Sequence, residues 1–242
     1  IDGVSTTEGV LMRRISSILA LVLISSMVLA EAKPGQSLLK TYKGKNVLFW
    51  RSNISSSPNI SGLIANYPTI ISFESYGGSP SGATKLVKQL RTFADNLKRK
   101  TGHSLEMYFS SHCDSACLIV LTGMNQSAKS GSIKLTVYRN TRLGFHGAYY
   151  VQPDGTLEFN LNATKNFVDM LTSFGMNLKW VAGFPNLFAK HDAEDVLYIS
   201  AGDPRMIDSG IVDDGVLSDG DVGTFFERAE NFIGEHVSVL FQ

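Results

Sequence analysis

The sequence is poor in the residues that build metal and phosphate sites. Five histidines are scattered through 242 residues, and the only cysteines are Cys113 and Cys117. Structural zinc needs four clustered ligands, so no metal is expected. No Gly-Lys-Ser/Thr loop occurs. That absence excludes a nucleotide-cradling P-loop, and with it an ATPase of the chain's own. No cofactor is expected either. Lys plus Arg and Asp plus Glu each number 22, a formal net charge of +0. A neutral chain lacks the basic footprint of a nucleic-acid partner. Charged residues make up 18% and apolar ones 43%, which suits a buried core and argues against disorder.

Long apolar runs are confined to one segment. Met12-Arg13-Arg14 forms a short positive region ahead of the uncharged run Ile15 to Ala30, and Ala30-Glu31-Ala32 fits a small-x-small cleavage site. The run has 16 residues and includes four serines, short of the roughly 20 apolar residues of a spanning helix. These features predict a signal peptide over 12–32, cut near Ala32, and a periplasmic or secreted protein. Residues 1–11 form an extension of unassigned origin. The stretch 33–45 reads as a linker, 46–216 as a single domain, and 217–242 as a tail. Four Asn-x-Ser/Thr sequons, at Asn53, Asn59, Asn125 and Asn162, matter only in a host that glycosylates exports.

Within the domain, apolar runs alternate with helical periodicity. Strands are expected at Asn46–Trp50, Thr69–Phe73, Leu105–Phe109, Lys134–Tyr138 and Arg142–His146. Leu86, Leu90, Phe93 and Leu97 recur at three- and four-residue steps and predict an amphipathic helix from Gly82 to near Gly102. A buried helix is expected after Ser115, to about Gly123. Asn125–Ser132 and Tyr149–Glu158 read as loops, and Thr164 to about Lys190 as a helix broken near Gly175 or Gly183-Phe184-Pro185. Ser200–Asp203 resembles a helix cap, and Gly210–Asp213 a short terminal strand. The alternation argues for an α/β fold with a largely parallel sheet.

Two stretches carry chemistry. Cys113-Asp114-Ser115-Ala116-Cys117 sets a serine before the apolar run Leu118–Leu121, where a strand-to-helix turn presents a hydroxyl beside free helix N–H groups. Gly144-Phe145-His146-Gly147 sets a histidine between glycines in a strand-like segment. A serine nucleophile needs a base within hydrogen-bond reach, usually histidine. Ser115 and Asp114 equally suit a helix N-cap, and His146 a strand histidine satisfied by backbone. The cysteines admit two readings: a disulfide, favoured by export, or two small buried hydrophobes. A disulfide in so tight a ring is expected to be easily reduced, and so able to gate the turn that carries Ser115.

In order along the chain stand Ser75-Tyr76-Gly77-Gly78 and a helix, then Ser115-Ala116 and a buried helix. Phe145-His146 follows, and then Ser200-Ala201 with Gly210-Ile211-Val212-Asp213. With these motifs, over roughly Val47 to Gly215, the chain resembles the Clp protease proteolytic subunit. It also resembles the wider Clp/crotonase superfamily, and within it the exported bacterial Clp-protease-like proteins. The resemblance implies a ββα spiral and a serine peptidase. Ser115 would be the nucleophile, His146 the base and Asp195 the orienting acid, with Asp192 as second choice. Backbone N–H groups of Gly78 (or Gly77) and Ala116 would form the oxyanion hole. It also implies a peptide or protein substrate and self-association into a homo-oligomer. A non-catalytic peptide-binding or assembly module on the same fold is the alternative. An acyl-thioester enzyme is a third reading, which export disfavours because coenzyme A is cytosolic.

Overall fold

The computed structural model describes residues 38–42, 45–58, 60–61, 68–183, 189 and 196–220. The expected signal peptide, Asp192, Asp195 and most of the expected tail lie outside them. Ten strands and five α-helices follow one another in these segments. They are β1 (Leu38–Tyr42), β2 (Lys45–Trp50), β3 (Ile70–Ser75), α1 (Pro80–Thr101), β4 (Leu105–Asp114), α2 (Ala116–Ala128), β5 (Ile133–Tyr138) and β6 (Arg142–Phe145). Then come β7 (Tyr149–Val151), β8 (Leu157–Phe159), α3 (Leu161–Ser173), α4 (Leu178–Val181), β9 (Leu197–Ser200), α5 (Pro204–Asp208) and β10 (Leu217–Ser218).

The main sheet runs β1-β2-β3-β4-β5-β10, with β6 and β9 branching from β4. Among the described strands of that sheet only β1–β2 and β6–β9 pair antiparallel. The remaining pairs are parallel, as the strand-helix alternation predicts. Helices cover the apolar strands because a parallel sheet must be buried on both faces. Leu86, Leu90, Phe93 and Leu97 of α1 are all buried, each such side chain contributing roughly 1.5–3 kcal/mol on burial. Trp50, Phe73 and Phe109 form an aromatic file through the core, with centroids 5.4 and 5.3 Å apart.

β4 positions the site. Its first half, Leu105 to Phe109, pairs with β5; its second half, His112 to Asp114, pairs with β6. Between them the register against β3 slips, so that Phe73 faces Phe109 but Ser75 faces Cys113. Such an irregularity bends a strand. The expected strand ended at Phe109; it continues because β6 offers a second partner.

Several expectations need correction. The stretch 33–45, expected as a linker, contains β1, hydrogen-bonded to β2. α2 runs past Gly123 to Ala128. Gly123 is a packing residue there, since an added Cβ would meet the Val87 methyls of α1 at 2.8 Å. The segment after Tyr149 is a hairpin of β7 and β8 rather than a plain loop. Gly210–Asp213 is no strand: Gly210 has φ +76° and the chain tucks Ile211 and Val212 into the core. The last described strand is β10, inside the expected tail and parallel to β5. The helix break falls at Gly175, φ +99°, between α3 and α4. Among the described residues no helix is long and apolar enough to cross a membrane.

Candidate active site

Ser115 stands where β4 ends and α2 begins. It is the one non-glycine residue with positive φ among those described, at φ 52° and ψ −119°. Such a conformation costs on the order of 1–3 kcal/mol and persists only where the surroundings enforce it. The surroundings are specific. Ser115 N–H donates to the Gly144 carbonyl at 2.8 Å, and the Ser115 carbonyl accepts from Leu118 N–H at 2.9 Å. On either side Cys113 and Cys117 form a disulfide, their Cα atoms 5.1 Å apart. Both cysteines are fully buried. The expectation of an easily reduced bond therefore gives way to a shielded one, since an external thiolate has no approach to either sulfur.

The N-cap reading of Ser115 fails, because its side chain makes no capping hydrogen bond. Its hydroxyl remains available for chemistry. Gly77 lies against it: an added Cβ there would sit 2.7 Å from Ser115 Cβ, 2.8 Å from the Asp114 carbonyl and 3.3 Å from Ser115 Oγ. The glycine turn is pinned from behind. Ile54 N–H donates to the Gly77 carbonyl at 2.7 Å, and Ser79 N–H to the Ile54 carbonyl at 2.8 Å. An added Cβ on Gly78 would lie 2.8 Å from Ile54 N, so only glycine fits. Gly77 N–H is engaged by Ser75 Oγ at 3.2 Å. The N–H groups of Gly78 and Ala116 have no hydrogen-bond partner among the described residues.

His146 follows β6 directly. Gly144, two residues earlier, binds Ser115 N–H, so serine and histidine stem from adjoining segments. The ring is half-buried, and its Nδ1 lies 2.6 Å from the Gly147 carbonyl. A carbonyl only accepts, so Nδ1 carries the proton and Nε2 is left as the acceptor.

Asp114 is a residue that sequence reasoning missed as more than a cap. It is buried, and its Oδ1 has no partner. Burial raises its carboxyl above the ordinary range, opposed by Arg142, His146 and a Gly144 backbone hydrogen bond. The signal available was the two-residue spacing His112–Asp114, which places both on one strand face. His112 stacks on Tyr76 with centroids 3.9 Å apart, and its Nδ1 lies 3.2 Å from Ser111 Oγ. Burial, then Arg142 and Arg51, push its ring below the usual imidazole range. Deeper along β3, Glu74 pairs with Arg51 at 2.6 Å and accepts from Ser110 at 3.2 Å. No cluster of metal-binding side chains occurs among the described residues.

No protein-family model matches the chain, and no curated protein matches it. Solved structures do. One is the ClpP protease catalytic domain from Plasmodium falciparum, at 16% identity and TM-score 0.38, covering 69% of this chain and 82% of that one. A second, described only as an enzyme, matches at 15% identity and TM-score 0.37, covering 72% of this chain and 96% of that one. Likeness at this level carries nothing about chemistry, which has to be argued from the site.

Proposed function

We propose that this chain is an exported serine peptidase-like hydrolase with a Clp/crotonase-like fold. The observation that carries the reading is Ser115: a strained, uncapped serine at a helix N-terminus, pressed against a glycine turn and tied by its own N–H to the strand leading to His146. Strain of this kind clusters at reacting groups. In the proposed reaction Ser115 Oγ attacks a peptide carbonyl while His146 Nε2 takes its proton, later returning it to the leaving amine. The Gly147 carbonyl holds the ring in the required tautomer. The N–H groups of Gly78 and Ala116 are the proposed oxyanion donors. Gly78 is preferred over Gly77, whose N–H is already used. Each donor is worth on the order of 3 kcal/mol of barrier. Asp195, carried over from the resemblance as the orienting acid, lies outside the described residues. A peptide or protein substrate and a homo-oligomeric state complete the proposal.

A fluorophosphonate probe tests it. The full chain is expected to be labelled on Ser115, with complete loss in Ser115→Ala. Equal labelling of both proteins sinks the assignment. Peptide binding without turnover, unchanged by Ser115→Ala, returns the chain to the binding-module reading.

A further inference from the structure

The second half of β4 and the strand β6 turn alternate residues to one face, because residues two apart on a strand share a side. On β4 these are His112 and Asp114. On β6 and its continuation they are Arg142, Gly144 and His146. The register sets His112 opposite Arg142 and Asp114 opposite Gly144. The other face carries Cys113, Leu143 and Phe145, all fully buried. Asp114 therefore faces the one position of the three that has no side chain, with Arg142 and His146 before and after it on the neighbouring strand. The glycine is required: a Cβ on Gly144 would lie 2.6 Å from Asp114 Cγ.

Asp114 is 4% exposed, and its Oδ1 has no hydrogen-bond partner. Burying a carboxylate that has only a Gly144 backbone hydrogen bond and leaves Oδ1 unpaired is costly. The contrast with Glu74 is direct, for that buried acid has both Arg51 and Ser110. Arg142, the fixed cation of the face, lies instead over the Tyr198 ring, 4.4 Å from its centroid. The groups acting on this part of the sheet are few. His112 lies on Asp114's own strand, Tyr76, stacked on His112, follows β3 on one side, and Arg142 and His146 lie on the β6 side, with Tyr198 on β9 opposite Gly144. The Arg51–Glu74 pair stands beyond His112, on which Arg51 acts.

We propose that Asp114 is a positioning residue for His146, holding a negative charge against the imidazolium that forms when the ring takes the Ser115 proton. The inference rests on the hydrolase reading above. When Nε2 takes that proton, the ring gains one positive charge and the developing oxyanion one negative charge. The Gly147 carbonyl fixes the tautomer but brings no net charge. A carboxylate in the slot over Gly144 supplies it, and the low-dielectric surroundings strengthen the attraction. The acid adjoins the nucleophile in the chain, inside the span closed by the disulfide, so its placement is tied to that of Ser115.

The pairing is tested without any turnover. In the full chain, labelled with carbon-13 at aspartate carboxyls, the Asp114 resonance is assigned through its own backbone and titrated. In His146→Gln the positive partner is gone, so the Asp114 midpoint is expected to rise by about half a pH unit or more. An unchanged midpoint overturns the inference, whatever Ser115 does. A shifted midpoint alongside an unlabelled Ser115 supports the pairing and overturns only the hydrolase reading. The second measurement is the pH profile of fluorophosphonate labelling in Asp114→Asn, taken with its circular dichroism. The expected result is a native spectrum, labelling slowed at least about tenfold near neutrality, and a displaced acid limb. Native folding with the wild-type rate and profile overturns the inference.

Discussion

Helices α1 and α2 lie side by side, and their beginnings obey opposite rules. α1 starts on Ser79 in an extended conformation, its side chain accepting from Gly82 N–H at 3.2 Å, with a proline in the first turn. It ends on Gly102 in the left-handed conformation, with Lys98, Arg99 and Lys100 in the last turn. Each of these features favours a helix locally. α2 starts on a serine that does not cap, at positive φ. It is held by burial instead, from Ala116 through Asn125. The same residue type, at the same position, is framework in one helix and a strained hydroxyl in the other. Local rules are broken where the surroundings enforce a geometry needed for something else.

Glycine substitutions sharpen this contrast most. Gly77→Ala would push a methyl against Ser115 Cβ and the Asp114 carbonyl at φ +103°. Strain and overlap together are expected to cost about 3 kcal/mol, read as a fall in melting temperature and in Ser115 labelling. Gly102→Ala, at φ +76° with open space around it, is expected to cost only about 1 kcal/mol and leave labelling unchanged. Equal losses at the two sites would break the comparison.

Serine substitutions come next. Ser79→Ala removes a working cap and is expected to destabilise by about 1 kcal/mol in denaturant unfolding. Ser115→Gly is expected to be more stable than Ser115→Ala by about 1 kcal/mol, because glycine accepts the backbone conformation that alanine must strain to keep. The reverse order would mean that Ser115 is not strained.

Legibility in the sequence divides along the same line. The apolar spacing of Leu86, Leu90, Phe93 and Leu97 is a local property, and it names α1 and its buried face. The disulfide needed only two cysteines four apart and an expectation of export. What escaped was set by distant partners. The length of β4 depends on β6 offering a second edge, and β10 depends on β5 lying free to receive two residues. Asp114 reads as a cap because its slot is made by Gly144, thirty positions on, and no local pattern reports an absent side chain opposite a buried acid.

The smallest expected effect is one of pH. Burial raises the Asp114 carboxyl above its ordinary 3.8. A group whose native value is raised stabilises the fold while protonated, below the unfolded value. That contribution is lost as pH rises through the native value. Asp114→Asn removes the titration. Its melting temperature relative to wild type should therefore climb as pH rises from 3.8 through the native midpoint, then level off. A flat difference across that window would mean that Asp114 titrates as it does in the unfolded chain.

The seam in β4 has a consequence for how the molecule opens. Residues Leu105 to Phe109 are locked between β3 and β5, whereas His112 to Asp114 have one β3 position, Ser75 facing Cys113, on one side and β6 on the other, with the four-residue β9 beyond it among the described strands. Lifting β6 and β9 away would release the Gly144 carbonyl from Ser115 N–H while the larger sheet stayed intact. Amide hydrogen exchange would then separate two tiers, with Met107 and Phe109 exchanging only on global unfolding and Ser115 exchanging earlier through a partial opening. The Ser115 geometry would thus be a property of the less durable tier, assembled and dismantled without the core taking part.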